Sequence, residues 1–199
     1  MPNYPGGKKT PTIISDKKIT KSKSCNSANR GMAFEADINV SNAYYLDQNR
    51  AIITKRPTPI NVVKVDYSKG ARIIDAYFEK QSTTDYNGVY RGRYIDFEAK
   101  SCQNKTSFPL SNITYHQINH LKHVINHGGI AFFLIYLCST DEVYLIDAKY
   151  IIDAFENGDR KSIPFNDLKE KGHLVNQGYL PRISYLDVVD KVYFNEEKI

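Results

Sequence analysis

Ser82–Lys100 reads STTDYNGVYRGRYIDFEAK. Its second half, Tyr94-Ile95-Asp96-Phe97-Glu98-Ala99-Lys100, alternates polar and apolar residues, the pattern of a half-buried strand. Successive strand side chains take opposite faces, so Tyr94, Asp96, Glu98 and Lys100 share one face, while Ile95, Phe97 and Ala99 enter a core on the other. Carboxylates two residues apart repel each other, and a divalent cation held by their hard oxygens would relieve this. An isolated D-x-E-x-K is more often an ordinary solvated strand face. The upstream residues favour the cation, because Thr83 and Asp85 fall on one face of a second strand bounded by the turn signal Asn87-Gly88. A two-residue hairpin at Asn87-Gly88 would set Asp85 opposite Tyr90. A reversal centred on Arg91-Gly92, with a wider loop from Gly88 to Arg93, would instead pair Asp85 with Glu98. Gly88 and Gly92 permit both registers, and the pattern leaves the choice open.

The chain of 199 residues is long enough for one domain with a real core. Its longest apolar run, Ile130–Leu137, suits a buried strand and is too short to span a membrane. No apolar signal region follows the N-terminal lysines. Three cysteines, Cys25, Cys102 and Cys138, lack metal-ligand spacing and fit a reducing cytoplasm. The net charge of +5 is uneven: residues 1–30 hold seven Lys/Arg against one acid, which leaves 20 basic and 21 acidic residues beyond them. The first 28 or so residues therefore read as a disordered basic arm suited to phosphates or merely to solubility, and the rest as the folded body.

Asn29 to about Asn49 reads as a helix capped by Asn29 or Ser27, with Met32, Phe34, Ile38, Tyr44 and Tyr45 near one face. Glu35, in its first turns, suits the helix dipole or approaches the carboxylates as an outer group. Ala51–Lys55 is a short strand stopped by Arg56-Pro57-Thr58-Pro59. Residues 57–81 read as two extended segments joined at Ser68-Lys69-Gly70, a basic projection carrying Lys64, Lys69, Arg72 and Lys80 that suits a nucleic-acid groove or a dimer flap. Lys105 lies in the polar loop after Lys100. Ile113–Asn126 is the strongest helix, striped by Ile118, Leu121, Val124 and Ile125, with Gln117 inside the stripe. A buried amide needs a partner, and nearby backbone, a carboxylate or a metal all serve. His116, His120, His123 and His127 form an arc placed far from that stripe, about 3.6 residues making a turn, so they read as a surface and not as a zinc site. Gly128-Gly129 ends the helix. Strands follow at 130–137 and 143–146, helices near 148–156 and 165–171, and Tyr179–Val189 closes the sheet or meets a second subunit.

Asp85 followed by Glu98-Ala99-Lys100 resembles the D…(D/E)-x-K signature of restriction-endonuclease-like nucleases. The longer run STTDYNGVYRGRYIDFEAK, with NKTSFPL, the later HQ, RPTP at 56–59 and GYLPRISYLD at 178–187, resembles the RecU-type Holliday-junction resolvases from about Asn29 to Phe194. The resemblance implies an α/β fold with a mixed central sheet flanked by helices, a nuclease domain over 29–199 and a stalk at about 57–81 that engages the junction. It implies a Mg2+ site, with Mn2+ as a substitute, ligated by Thr83, Asp85, Glu98 and Gln117. Lys100 would orient the nucleophile or stabilise the charge of the pentacovalent phosphorus, and Asp96 would be a further ligand or a supporting group. Expected DNA contacts are Arg30, Lys64, Lys69, Arg72, Lys80, Arg91, Arg93 and Lys105. The implied function is paired, symmetric hydrolysis of four-way DNA junctions by a homodimer in recombination and repair, in the cytoplasm at the nucleoid and alongside recombination proteins. A duplex-cutting nuclease and a non-catalytic DNA-binding scaffold are the alternatives.

Overall fold

The computed structural model describes residues 27–79 and 83–194, with side chains from residue 31. Most of the expected arm, Cys25, Lys80 and the side chain of Arg30 lie outside the described residues. In chain order the elements are α1 (Ser27–Asp47), β1 (Ile52–Lys55), β2 (Ile60–Asp66), β3 (Arg72–Phe78), β4 (Tyr86–Tyr90), β5 (Arg93–Cys102), β6 (Ser107–Pro109), α2 (Tyr115–Asn126), β7 (Ile130–Leu137), β8 (Glu142–Asp147), α3 (Ala148–Glu156), β9 (Ser162–Pro164), α4 (Phe165–Lys171), β10 (His173–Val175) and α5 (Tyr185–Val189).

The main sheet has the order β1-β4-β5-β7-β8-β10, with β5 and β7 parallel and the other pairs antiparallel. This is the mixed, helix-flanked α/β architecture expected from the sequence. Strands β5 and β7 run parallel because α2 carries the chain back between them, as a parallel pair requires. Every residue of β7 but Tyr136 is buried, as a central strand covered on both faces demands. One face packs Ile95, Phe97, Phe132 and Leu134 against α1 and α5. The other packs Phe133, Ile135 and Ile146 against α2, α3 and α4.

The turn of the β4–β5 hairpin falls at Arg91-Gly92, which the ladder Tyr86↔Phe97 to Tyr90↔Arg93 fixes. The loop is two residues, tighter than the one anticipated for this register. Arg91 and Gly92 both have positive φ, 49° and 77°, as a type I′ turn needs. Asn87 and Gly88 lie within the strand instead. A Cβ on Gly88 would sit 2.0 Å from the Ile52 carbonyl oxygen, so the glycine permits the close approach of β1.

Strands β2 and β3 form a separate two-stranded sheet turning at Ser68–Gly70. Most of its apolar side chains, including Val63, Tyr67, Ile74, Tyr77 and Phe78, are exposed, as are Lys64, Lys69 and Arg72, and Val65 is half-buried. Two expectations need correction. Met32 is exposed, because α1 buries only the narrower stripe Phe34, Ile38, Ser41, Asn42 and Tyr45. Tyr179–Val189 adds no strand to the main sheet: its edge is closed by His173–Val175, and Tyr185–Val189 is a helix under α1. The small β6–β9 sheet was not foreseen, since three-residue strands leave no readable period.

Candidate active site

The aromatic column Tyr86–Phe97–Phe132 crosses three strands, with ring centroids 4.9 and 4.7 Å apart and planes within 9°. It fixes β4, β5 and β7 from behind. The opposite face of β5 carries Asp96, Glu98 and Lys100, as alternation requires. Asp85, just ahead of β4, comes opposite Glu98: its backbone N–H donates to Glu98 Oε2 at 3.2 Å, and Ala99 N–H donates to Asp85 Oδ2 at 3.2 Å. Lys100 Nζ lies 2.7 Å from Glu98 Oε1. From α2, Gln117 Nε2 donates to the same oxygen at 2.6 Å. The Gln117 side-chain carbonyl accepts from Thr114 N–H while the Thr114 hydroxyl accepts from Gln117 N–H, so Gln117 completes the cap begun by Thr114 and also reaches the site.

Glu98 is 1% exposed. Burial, followed by the negative charge of Asp85, pushes its carboxyl up to about 8 against the opposing pull of Lys100. Asp96, two residues earlier on the same face and 0% exposed, behaves oppositely. It is bonded by Arg56 Nη2 at 2.6 Å, Tyr94 OH at 2.9 Å, His120 Nε2 at 2.9 Å and the Thr84 hydroxyl. Burial would raise its pKa, but the bonds from His120 and Thr84 and the charge of Arg56 outweigh it and hold the carboxyl below its usual range.

Thr83 lies in the segment leading to Asp85, half-buried. Glu35 stands across a cleft of about 610 Å3 shared with Lys100, Ala99 and Asn104, and its carboxylate pairs with Lys55. Arg91 and Arg93 are brought away from this group: they sit at the hairpin turn, Arg91 on Asp190 at 3.0 Å and Arg93 on the Gly128 carbonyl at 2.9 Å. Lys105 is exposed in the loop after β5, and Lys64, Lys69 and Arg72 are on the separate hairpin. His116, His123 and His127 are exposed as read, but His120 turns to the sheet and bonds Asp96. The arc measured from the apolar stripe overlooked that α2 carries Gln117 and His120 three residues apart on one flank. Among the described residues no three His, Cys, Asp or Glu side chains form a metal-type cluster. Residue reading missed the partners of Asp96, namely Arg56, Thr84 and His120. Arg56, immediately after a strand and before a proline, was the most visible of them.

The donor set around Glu98 suits a hard divalent cation. The facing carboxylates of Asp85 and Glu98 are hard oxygen donors, and burial beside Asp85 leaves Glu98 short of positive charge. Gln117 here turns its nitrogen, not its oxygen, to Glu98.

Fold and site together define a mixed α/β protein with a lysine-flanked pair of carboxylates, Glu98 buried on an interior strand and Asp85 half-buried just ahead of the neighbouring one. The sequence profile of the family described as Recombination protein U matches residues 29–191, and the chain belongs to that family. It is 50% identical to the Holliday junction resolvase RecU of Geobacillus sp. (strain WCH70), over 96% of this chain and 98% of that one. It is 55% identical to the protein of the same name from Shouchella clausii, over 83% of this chain and 82% of the relative. Among solved structures it is similar to Hjc, a Holliday junction resolvase of Archaeoglobus fulgidus, at 12% identity and a TM-score of 0.43, over 72% of this chain and 94% of that one. Among the described residues no helix is long and apolar enough to cross a membrane.

Proposed function

We propose that this chain is a divalent-metal-dependent endonuclease that resolves four-way DNA junctions. The reading rests on the pairing of Asp85 with a buried Glu98 beside Lys100, in a chain half identical to proteins named Holliday junction resolvase. Asp85 and Glu98 would hold Mg2+ or Mn2+, with oxygens of Thr83 and Gln117 completing the set once the Gln117 amide turns. The cation supplies an acidified water and neutralises charge on the phosphoryl oxygens. Lys100 then stabilises the charge that grows as the phosphodiester is attacked, or orients the nucleophile. Asp96 supports the site from the adjoining rung, and Glu35 borders the cleft. Lys64, Lys69 and Arg72 on the hairpin, with Lys105, contact the DNA. A twofold homodimer presents two such sites to the two strands of a junction, which gives paired, symmetric cuts. The work is done in the cytoplasm, during recombination and repair.

The test is incubation of the protein with a synthetic four-way junction and with linear duplex, in Mg2+ and in EDTA. Symmetric nicking of the junction is expected, dependent on Mg2+ and absent in Glu98→Ala, which still binds the junction. Binding without metal-dependent cutting would overturn the catalytic reading. Equal cutting of linear duplex would overturn the junction specificity.

A further inference from the structure

Asp96 shares a strand face with the proposed metal carboxylates, yet its oxygens face elsewhere. Thr84 bonds Oδ1, and Arg56, Tyr94 and His120 converge on Oδ2. Those partners come from four places in the fold: the chain just after β1, the segment before β4, β5 itself, and α2. Two of the connections lead straight to the site. Thr84 is the residue before Asp85, and Arg56, whose side chain is held by Asp96, donates its backbone N–H to the Asp85 carbonyl at 2.8 Å. Asp85 is thus clasped through its neighbour and through its own backbone, with both clasps fastened to one buried carboxylate. On the other side, His120 bonds Asp96 three residues after Gln117 bonds Glu98, so α2 lies on β5 by two rungs, Glu98–Gln117 and Asp96–His120.

The ring nitrogens of His120 can be assigned from this arrangement. Nε2 lies 2.9 Å from Asp96 Oδ2 and 3.2 Å from Arg56 Nη1. A carboxylate accepts and a guanidinium donates, so the nearer partner requires Nε2 to carry the proton. The guanidinium then spends Nη1 on the Thr84 hydroxyl, at 3.0 Å. The Thr84 and Tyr94 hydroxyls each accept from Arg56 and donate to Asp96, so the bonds run in one direction toward the carboxylate, and a buried polar network connected in this way rigidifies its surroundings.

We infer that Asp96 is a positioning residue: through Thr84, Arg56 and His120 it sets the separation of Asp85, Glu98 and Gln117 on which metal affinity depends, without ligating the metal. This rests on the metal-site reading above. Supporting groups of this kind typically govern metal affinity by about 10- to 100-fold.

The test is Mn2+ binding by titration calorimetry on the full chain, alongside thermal unfolding and junction cleavage as a function of Mn2+. Because Asp96→Asn leaves Arg56 without its counter-charge and is at risk of misfolding, the decisive variant is Thr84→Val, nearly isosteric, with Thr84→Ser as its rescue. Thr84→Val is expected to weaken Mn2+ binding by about 10-fold or more, to raise the Mn2+ needed for half-maximal cleavage to match, and to leave cleavage at saturating Mn2+ within about threefold. Thr84→Ser is expected to restore the affinity. Unchanged Mn2+ affinity in Thr84→Val, with the wild type binding and Glu98→Ala not binding, overturns the positioning role. A wild type that binds no Mn2+ overturns the metal-site reading instead.

Discussion

Replacing Glu98 by glutamine should stabilise the metal-free protein at alkaline pH while abolishing its chemistry. In the unfolded chain a glutamate titrates near 4.5, and in the fold burial and the charge of Asp85 raise Glu98 to about 8. Between those values the native state keeps a proton that the unfolded state has released, so stability falls as pH rises, by about 1.4 kcal/mol per pH unit. The contribution is whole below about 4.5 and gone above about 8, a swing of at most about 5 kcal/mol. Glutamine does not titrate and is free of the swing. It keeps an oxygen for Gln117 and Lys100 but turns an N–H toward the Asp85 N–H, forfeiting one hydrogen bond worth about 1 kcal/mol. Glu98→Gln should therefore be slightly less stable than wild type at pH 5 and about 2–4 kcal/mol more stable at pH 8–9. Urea unfolding in EDTA across this range measures the difference directly. Adding Mg2+ at pH 8 should close the gap from the wild-type side, as ligand binding to the native state does. A difference between the two proteins that does not change with pH would refute the account of Glu98.

Other substitutions separate the remaining parts. Lys100→Ala should keep metal binding but lower junction cleavage by about 10²–10³-fold, the usual loss for a group that meets developing charge; near-normal turnover would remove Lys100 from the chemistry. Alanine at Lys64, Lys69 and Arg72 together should flatten the salt dependence of junction binding by about 0.9 in log–log slope for each phosphate no longer neutralised. An unchanged slope would clear the hairpin of any role in holding DNA. Gly88→Ala should cost about 3 kcal/mol or more in urea unfolding, because its Cβ meets the Ile52 backbone at 2.0 Å. Gly92→Ala, whose Cβ meets nothing within 4 Å, should cost only the conformational 1–2 kcal/mol or so of a positive φ. Equal losses at the two glycines would contradict the register.

Alternation at Tyr94–Lys100 was enough to read the strand, its two faces and the sharing of one face by Asp96, Glu98 and Lys100. The register was not readable, and the reason is Gly88. Asn-Gly is the stronger hairpin signal in this stretch, but the glycine is spent on letting β1 approach, and Arg91 accepts the left-handed conformation in its place. Periodicity also found α2 and its buried Gln117, while it assigned His120 to the surface. A helical wheel knows the apolar stripe of its own helix; it does not know that a buried carboxylate on a strand 24 residues earlier waits at the flank. The partners of Asp96 stayed hidden on the same ground. Arg56 lies 40 residues away, and its bond to Asp96 exists only once β1, β4 and β5 have paired.

The two rungs between β5 and α2 divide the labour of the site. Asp96 and Glu98 lie on one face of one strand, both buried, and each bonds one residue of the same helix. Their acidities are driven in opposite directions by what else surrounds them. Asp96 has a guanidinium, an imidazole and two hydroxyls and is held ionised. Glu98 has one ammonium, one amide and a backbone N–H, and it faces another carboxylate, so its charge is left partly uncompensated. Had the fold required both acids as mere struts, the arrangement around Asp96 would have served twice. Leaving Glu98 short of positive charge opposite Asp85 destabilises the metal-free protein, and a divalent cation between the two carboxylates is the species that would cancel the deficit.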